Sequence, residues 1–212
     1  MQKTFSKGIF TAITAGAALV FASSFLATDA QASRLPGAST PSYDAGSARP
    51  IQGWIEFCQR NPADCVVNTS EPDIITLDAL TWSTIVSVNR EVNAAIQPVT
   101  DMELYGVADY WDYPTSGYGD CEDYQLLKRK LLVDAGIPQR AMRMTVVIDE
   151  KNEGHAVLMI RTDRGDFILD NKTDAVVAWH QTGYVYVKRE SQHAVAWTSL
   201  GHTSSPIATA TR

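Results

Sequence analysis

Pro138 divides the chain by hydrophobic period. Before it, apolar residues recur at three- and four-residue spacing, and after it they alternate. Ile85, Val88, Val92 and Ile96 set a helix over 78–97 that Pro98 ends, and Trp54, Ile55 and Phe57 a shorter one over 51–58. Tyr124, Leu127, Leu131 and Ala135 form a stripe on a helix over 121–135, closed by Gly136 and Pro138. Beyond Pro138, MRMTVVID (142–149), HAVLMIRT (155–162), DFILD (166–170) and YVYVKR (184–189) read as strands, with Asn152, Gly154 and Gly165 at turns. The aromatic, turn-rich stretch 101–118 reads as a loop. Helices followed by successive strands give an α+β fold, with a helix starting at Cys121 packed on an antiparallel sheet.

The ends of the chain lie outside that pattern. Lys3 and Lys7 precede an apolar run over 8–27, and Ala30-Gln31-Ala32 is a small-x-small cleavage pattern. Residues 1–32 therefore read as a signal peptide, with an uncleaved membrane anchor as the alternative. Residues 33–50, rich in Pro, Gly, Ser and Ala, read as an extended linker rather than a packed element. The domain spans 51–198, and 199–212 reads as a flexible tail. The net charge of −6 has no basic run within it, which argues against nucleic acid as a partner.

Export changes the meaning of the three cysteines. Cys58 and Cys65 flank the turn signal Asn61-Pro62 and are expected to pair in an oxidising compartment. Cys121 is left over, which in an exported chain points to an intermolecular bond or a reactive thiol. It sits in GDCEDY, with Asp120 at an N-cap position and Glu122 and Asp123 in the first helical turn. A helix N-terminus favours a thiolate, while three neighbouring acids oppose one. A nucleophilic thiol also needs a base and a group to orient that base. His155 opens one strand and Asp170 closes the next. A four-residue loop, 161–164, would set Ile160 across from Gly165 and His155 directly across from Asp170. The bland reading keeps Cys121 as a buried apolar residue, His155 as an ordinary strand histidine, and the acids as a cap and surface charges.

GYGDCEDYQLLKRKLLVDAGIP, GHAVLMIRTDRGDFILDNKT and GYVYVKRESQ together resemble the bacterial transglutaminase-like cysteine proteinases, the family of the periplasmic LapG proteases. The resemblance runs from about 51 to 198. It implies a papain-like or transglutaminase-like core and a Cys-His-Asp triad, with Cys121 as nucleophile, His155 as base and acid, and Asp170 as orienting acid. It also implies calcium beside the nucleophile, held by Asp120 and Glu122 with Asp123 next to them. Further implications are a periplasmic location, a protein substrate such as a large surface adhesin, and control by a cyclic di-GMP-responsive inner-membrane receptor. Calcium suits the residues, because it takes hard oxygen ligands. For oxyanion stabilisation, the Cys121 backbone N–H and the 105–119 loop, which contains Trp111, are candidates. Two other functions fit the same residues. One is acyl transfer to an amine, or deamidation, through the same thioester. The other is a silent calcium-binding interaction module.

Overall fold

The structure, a computed structural model, describes residues 34–201. The expected signal peptide and positions 202–212 of the expected tail lie outside the described residues. In chain order the elements are strand β1 (Ser47–Ala48), helices α1 (Gln52–Arg60) and α2 (Ala79–Ala95), strand β2 (Gln97–Pro98), the one-turn helix α3 (Asp101–Leu104), strand β3 (Tyr118–Gly119) and helix α4 (Cys121–Asp134). Six strands follow: β4 (Met142–Ile148), β5 (Gly154–Thr162), β6 (Gly165–Leu169), β7 (Val177–Ala178), β8 (Val185–Glu190) and β9 (Trp197–Ser199).

The chain is α+β as the periodicity implies. One seven-stranded antiparallel sheet runs in the order β1-β9-β8-β4-β5-β6-β7. Helix α4 packs on β5 and α2 packs on α4, so the main core lies between sheet and helices. Helix α2 starts at Asp78, whose carboxylate accepts the Thr81 N–H at 2.7 Å. Its Ile85, Val88 and Val92 are buried, as is Ile96 just beyond it. Cys58 and Cys65 form a disulfide with Cα atoms 5.7 Å apart, tying the end of α1 to the turn after it. A smaller cluster, Val147, Val157, Met159, Ile168 and Tyr186, lies apart from the main core, with Trp179, Tyr184 and Leu200 packed against it.

The structure corrects four expectations. The stripe on α4 is rotated. Leu131 and Ala135 are exposed, while Cys121, Gln125, Lys128 and Leu132 are buried along with Glu122, Leu126 and Arg129. The helix is covered by the sheet on one side and α2 on the other, and Arg129 is drawn in by Glu190 at 2.7 Å. Stretch 101–118 is not loop throughout. A capping box between Thr100 and Glu103 starts α3, and Tyr118–Gly119 pairs in parallel with Gln97–Pro98.

Third, the linker region is extended but docked. Ser42 donates its N–H and Oγ–H to Asp166 Oδ2 at 2.8 and 2.6 Å, Asp44 pairs with Arg189 at 2.7 Å, and Ser47–Ala48 joins the sheet edge. Asp166 and Arg189 are buried charges, and these contacts give them partners. Fourth, the β5–β6 hairpin has two loop residues, Asp163 and Arg164, not four, since Thr162 pairs with Gly165. Thr162 Oγ1 accepts the Arg164 N–H at 3.0 Å and donates to the Gly165 carbonyl at 2.8 Å, which closes the ladder two residues earlier. A shift of two keeps every side chain on its face. Continuing the register one step beyond Leu158–Leu169 sets Asp170 across from Val157, diagonal to His155.

Candidate active site

Cys121 is the first residue of α4 and is fully buried. That position exposes its sulfur to the partial positive charge of the helix N-terminus. The Ala156 backbone N–H donates to Sγ at 3.3 Å, and Sγ in turn lies 3.1 Å from Glu122 Oε2. His155, also fully buried, places Nε2 2.9 Å from Asp170 Oδ1. A hydrogen bond with the Cys121 side chain engages the imidazole as well. Asp170 is bound from two further directions. Tyr184 donates its hydroxyl to Oδ2 at 2.7 Å, and the Lys172 N–H donates to Oδ1 at 3.1 Å. The three residues from separate elements thus meet as one connected set, although the hairpin register differs from the expected one.

The electrostatics favour a charged histidine. Burial alone would lower the His155 pKa, but the hydrogen bond to Asp170 and the proximity of Cys121 outweigh it and raise it to about 9. For Asp170, burial would raise the value. The bonds from His155, Tyr184 and Lys172 overcome this and hold it at about 2.

The acids of GDCEDY are buried, not surface charges. Asp120 caps α4 in a reciprocal capping box with Asp123, whose Oδ2 lies 3.4 Å from the Asp120 N–H. Asp101, the first residue of α3, joins them. Its N–H donates to Asp120 Oδ2 at 3.1 Å, and its own Oδ2 accepts the Tyr110 N–H. Asp123 Oδ1 accepts the Asp112 N–H at 2.9 Å. Oxygens of Asp101, Asp120 and Asp123 converge within 4.8 Å of one another, as do ligand atoms of Asp120, Cys121 and Glu122. Burial and mutual repulsion raise Asp101 to about 6, Asp123 to about 8 and Asp120 to about 9, and push Glu122 well up. Among the described residues no lysine or arginine forms an ion pair with Asp101, Asp120 or Asp123. The buried Oδ1 atoms of Asp101 and Asp120 have no hydrogen-bond partner. A nest of converging carboxylates with orphaned acceptors, whose ionisation a bound cation would favour, fits a hard divalent cation such as calcium.

A sequence profile of the bacterial transglutaminase-like cysteine proteinases (BTLCP) matches residues 44–205. The chain belongs to that family. No curated protein matches it in sequence. Among solved structures, calcium-bound LapG of Legionella pneumophila aligns at 20% identity, covering 73% of this chain and 92% of that one, with a TM-score of 0.48. LapG of the same organism also aligns at 22% identity, over 67% of this chain and 85% of that one, with a TM-score of 0.44. EGTA-treated LapG aligns at 22% identity, over 67% and 83%, with a TM-score of 0.44.

This member of the transglutaminase-like cysteine proteinases is thus a cysteine peptidase with an α+β core. Among the described residues no helix is long and apolar enough to cross a membrane. Sequence reasoning missed Asp101, which lies 19 positions before Asp120 and reaches it only through the β2–β3 pairing. The Thr100/Glu103 capping box was the one signal that structure begins there. Trp111 lies in the 105–119 loop from which a second oxyanion donor was expected. It is buried in the core, and its indole N–H donates to Asp109 Oδ1 at 3.2 Å.

Proposed function

We propose that this peptidase hydrolyses a peptide bond with Cys121 as nucleophile, His155 as general base and acid, and Asp170 as the acid that orients His155. One observation carries this reading, the buried connection from Cys121 through His155 to Asp170. His155 takes the proton from Cys121 Sγ, leaving a thiolate–imidazolium pair. The Ala156 N–H and the first turn of α4 support the anionic sulfur. Sγ attacks the scissile carbonyl carbon, and His155 returns its proton to the departing amine nitrogen. A water molecule then attacks the thioester carbonyl, gives a proton to His155 and displaces the thiolate. Throughout, Asp170 holds the imidazole through Nε2 and keeps its other ring nitrogen for the sulfur.

Asp101, Asp120, Asp123 and Glu122 are the residues that would hold calcium. When bound, calcium supplies positive charge that offsets these carboxylates beside the reacting sulfur. The sequence pattern over 1–32 supports export to the periplasm. The family resemblance supports a surface adhesin as substrate and a cyclic di-GMP-responsive receptor as regulator. The test is incubation of the purified protein with a candidate adhesin, with and without a calcium chelator. Cleavage into two fragments is expected, abolished by Cys121→Ala and by chelation, and restored by added calcium. Fragments produced by Cys121→Ala would end the nucleophile assignment. Joined chains lighter by ammonia would mean acyl transfer instead.

A further inference from the structure

Tyr184 is joined to both members of the His155–Asp170 pair. Its hydroxyl donates to Asp170 Oδ2 at 2.7 Å, the oxygen that His155 does not use. Its ring stands edge-on to the imidazole, with centroids 5.7 Å apart and planes at 79°. The Lys172 ammonium sits 6.0 Å from the centroid of the same ring, and it also forms an ion pair with Asp149 at 2.5 Å. Gly183, at a φ of 77°, turns the chain immediately before Tyr184, and β8 begins immediately after it.

Accepting from Tyr184 and His155 on different oxygens fixes the rotation of the Asp170 carboxylate, so that Oδ1 stays aimed at Nε2. The His155–Asp170 bond is buried, with the Tyr184 ring packed beside the imidazole, and a bond away from water is the stronger one. We propose that Tyr184 is a positioning residue for the proteolytic reaction, holding Asp170 in register with His155 and shielding their bond. This inference rests on the Cys121-His155-Asp170 reading above. The charged and titratable groups around the pair are Cys121, Lys128, Asp149, Glu150, Lys172, Asp174 and Tyr186.

Two variants separate the parts of the role. Tyr184→Phe keeps the ring and loses the hydroxyl, whereas Tyr184→Leu loses both. Iodoacetate is the probe, because this anion alkylates the Cys121 thiolate fastest while the neighbouring imidazole is protonated. The alkaline fall of the labelling rate then reports the His155 proton, and full-length protein at one fixed calcium concentration is compared with Asp170→Asn. Expected is a shift of the alkaline limb to lower pH in Tyr184→Phe and a larger one in Tyr184→Leu. Expected with it is a kcat loss of about tenfold or more on a cleavable substrate, at nearly constant KM. If Asp170→Asn moves the limb and both Tyr184 variants keep it, the positioning role is wrong and the triad stands. A loss of thermal stability with an unmoved limb would also overturn it, leaving Tyr184 structural. If Asp170→Asn leaves the limb unmoved, the triad reading fails and this inference falls with it.

Discussion

Asp101 shows how much of the site depends on one side chain that sequence spacing cannot locate. Its Oδ1 is an orphaned buried acceptor beside a second one on Asp120, and its pKa is raised to about 6, mainly by burial. Of the three converging aspartates, it has the least raised value. Asp101→Asn keeps the shape and removes one carboxylate from the proposed calcium site. It is expected to weaken calcium binding about tenfold or more, read as a smaller calcium-induced rise in Tm. An unchanged rise would place the ion elsewhere. The meeting of Cys121, His155 and Asp170 was expected because each was read at the start or end of an element and the family resemblance singled out all three. Asp101 was not, because its approach to Asp120 follows from the parallel pairing of Gln97–Pro98 with Tyr118–Gly119, two short segments with no periodic signal. The role of Tyr184 was hidden for a similar reason, since a tyrosine at the start of a strand reads as packing until its hydroxyl is placed.

At the level of elements, the hairpin between β5 and β6 explains why a wrong register still led to a right pairing. The expected loop and the observed one differ by two residues, and strand alternation has a period of two. An error of one would have sent Asp170 to the other face of the sheet. Helix α4 was harder to read, because its buried sector includes Gln125, Lys128 and Arg129. Periodicity arguments assume that polar residues face water, and a helix covered on two sides breaks that assumption.

Lys128 carries a measurable consequence. Its ammonium is buried without a hydrogen-bond partner, and burial lowers its pKa to about 7, against the pull of Asp170 and Asp174. The folded value lies below the ordinary 10.5, so across that window the unfolded chain binds more protons and stability rises with pH. Lys128→Met is therefore expected to stabilise the protein at neutral pH, by about 1–4 kcal/mol in chemical denaturation. The gain should shrink as pH climbs toward the ordinary lysine value. A gap that stays constant with pH would show that packing, not charge, sets the difference.

For the whole molecule, the acidic nest couples folding to pH and, under the calcium reading proposed above, to metal. Asp101, Asp120 and Asp123 have folded pKa values raised to about 6, 9 and 8 from an ordinary 3.8, and Glu122 is raised well above 4.5. At these four acids the folded chain binds more protons than the unfolded one across that window. Their contribution to stability is therefore fully present below the ordinary values and is lost as pH rises through the folded ones. Lys128 works in the opposite direction above about 7, but it is one group against these four acids, and Asp170, also opposed, titrates at about 2, below the range of interest. Calcium-free protein should therefore lose thermal stability steadily as pH rises from about 5 to about 9. Calcium favours the ionised carboxylates and displaces their protons, so its stabilising effect should grow across the same range, with proton release on binding. Thermal melts in chelator and in calcium at several pH values, together with calorimetry in buffers of different ionisation enthalpy, measure both quantities. Parallel melting curves and no proton release would mean that the four acids hold no cation. The charges around Cys121 would then be helix caps with a high cost and no metal to offset it.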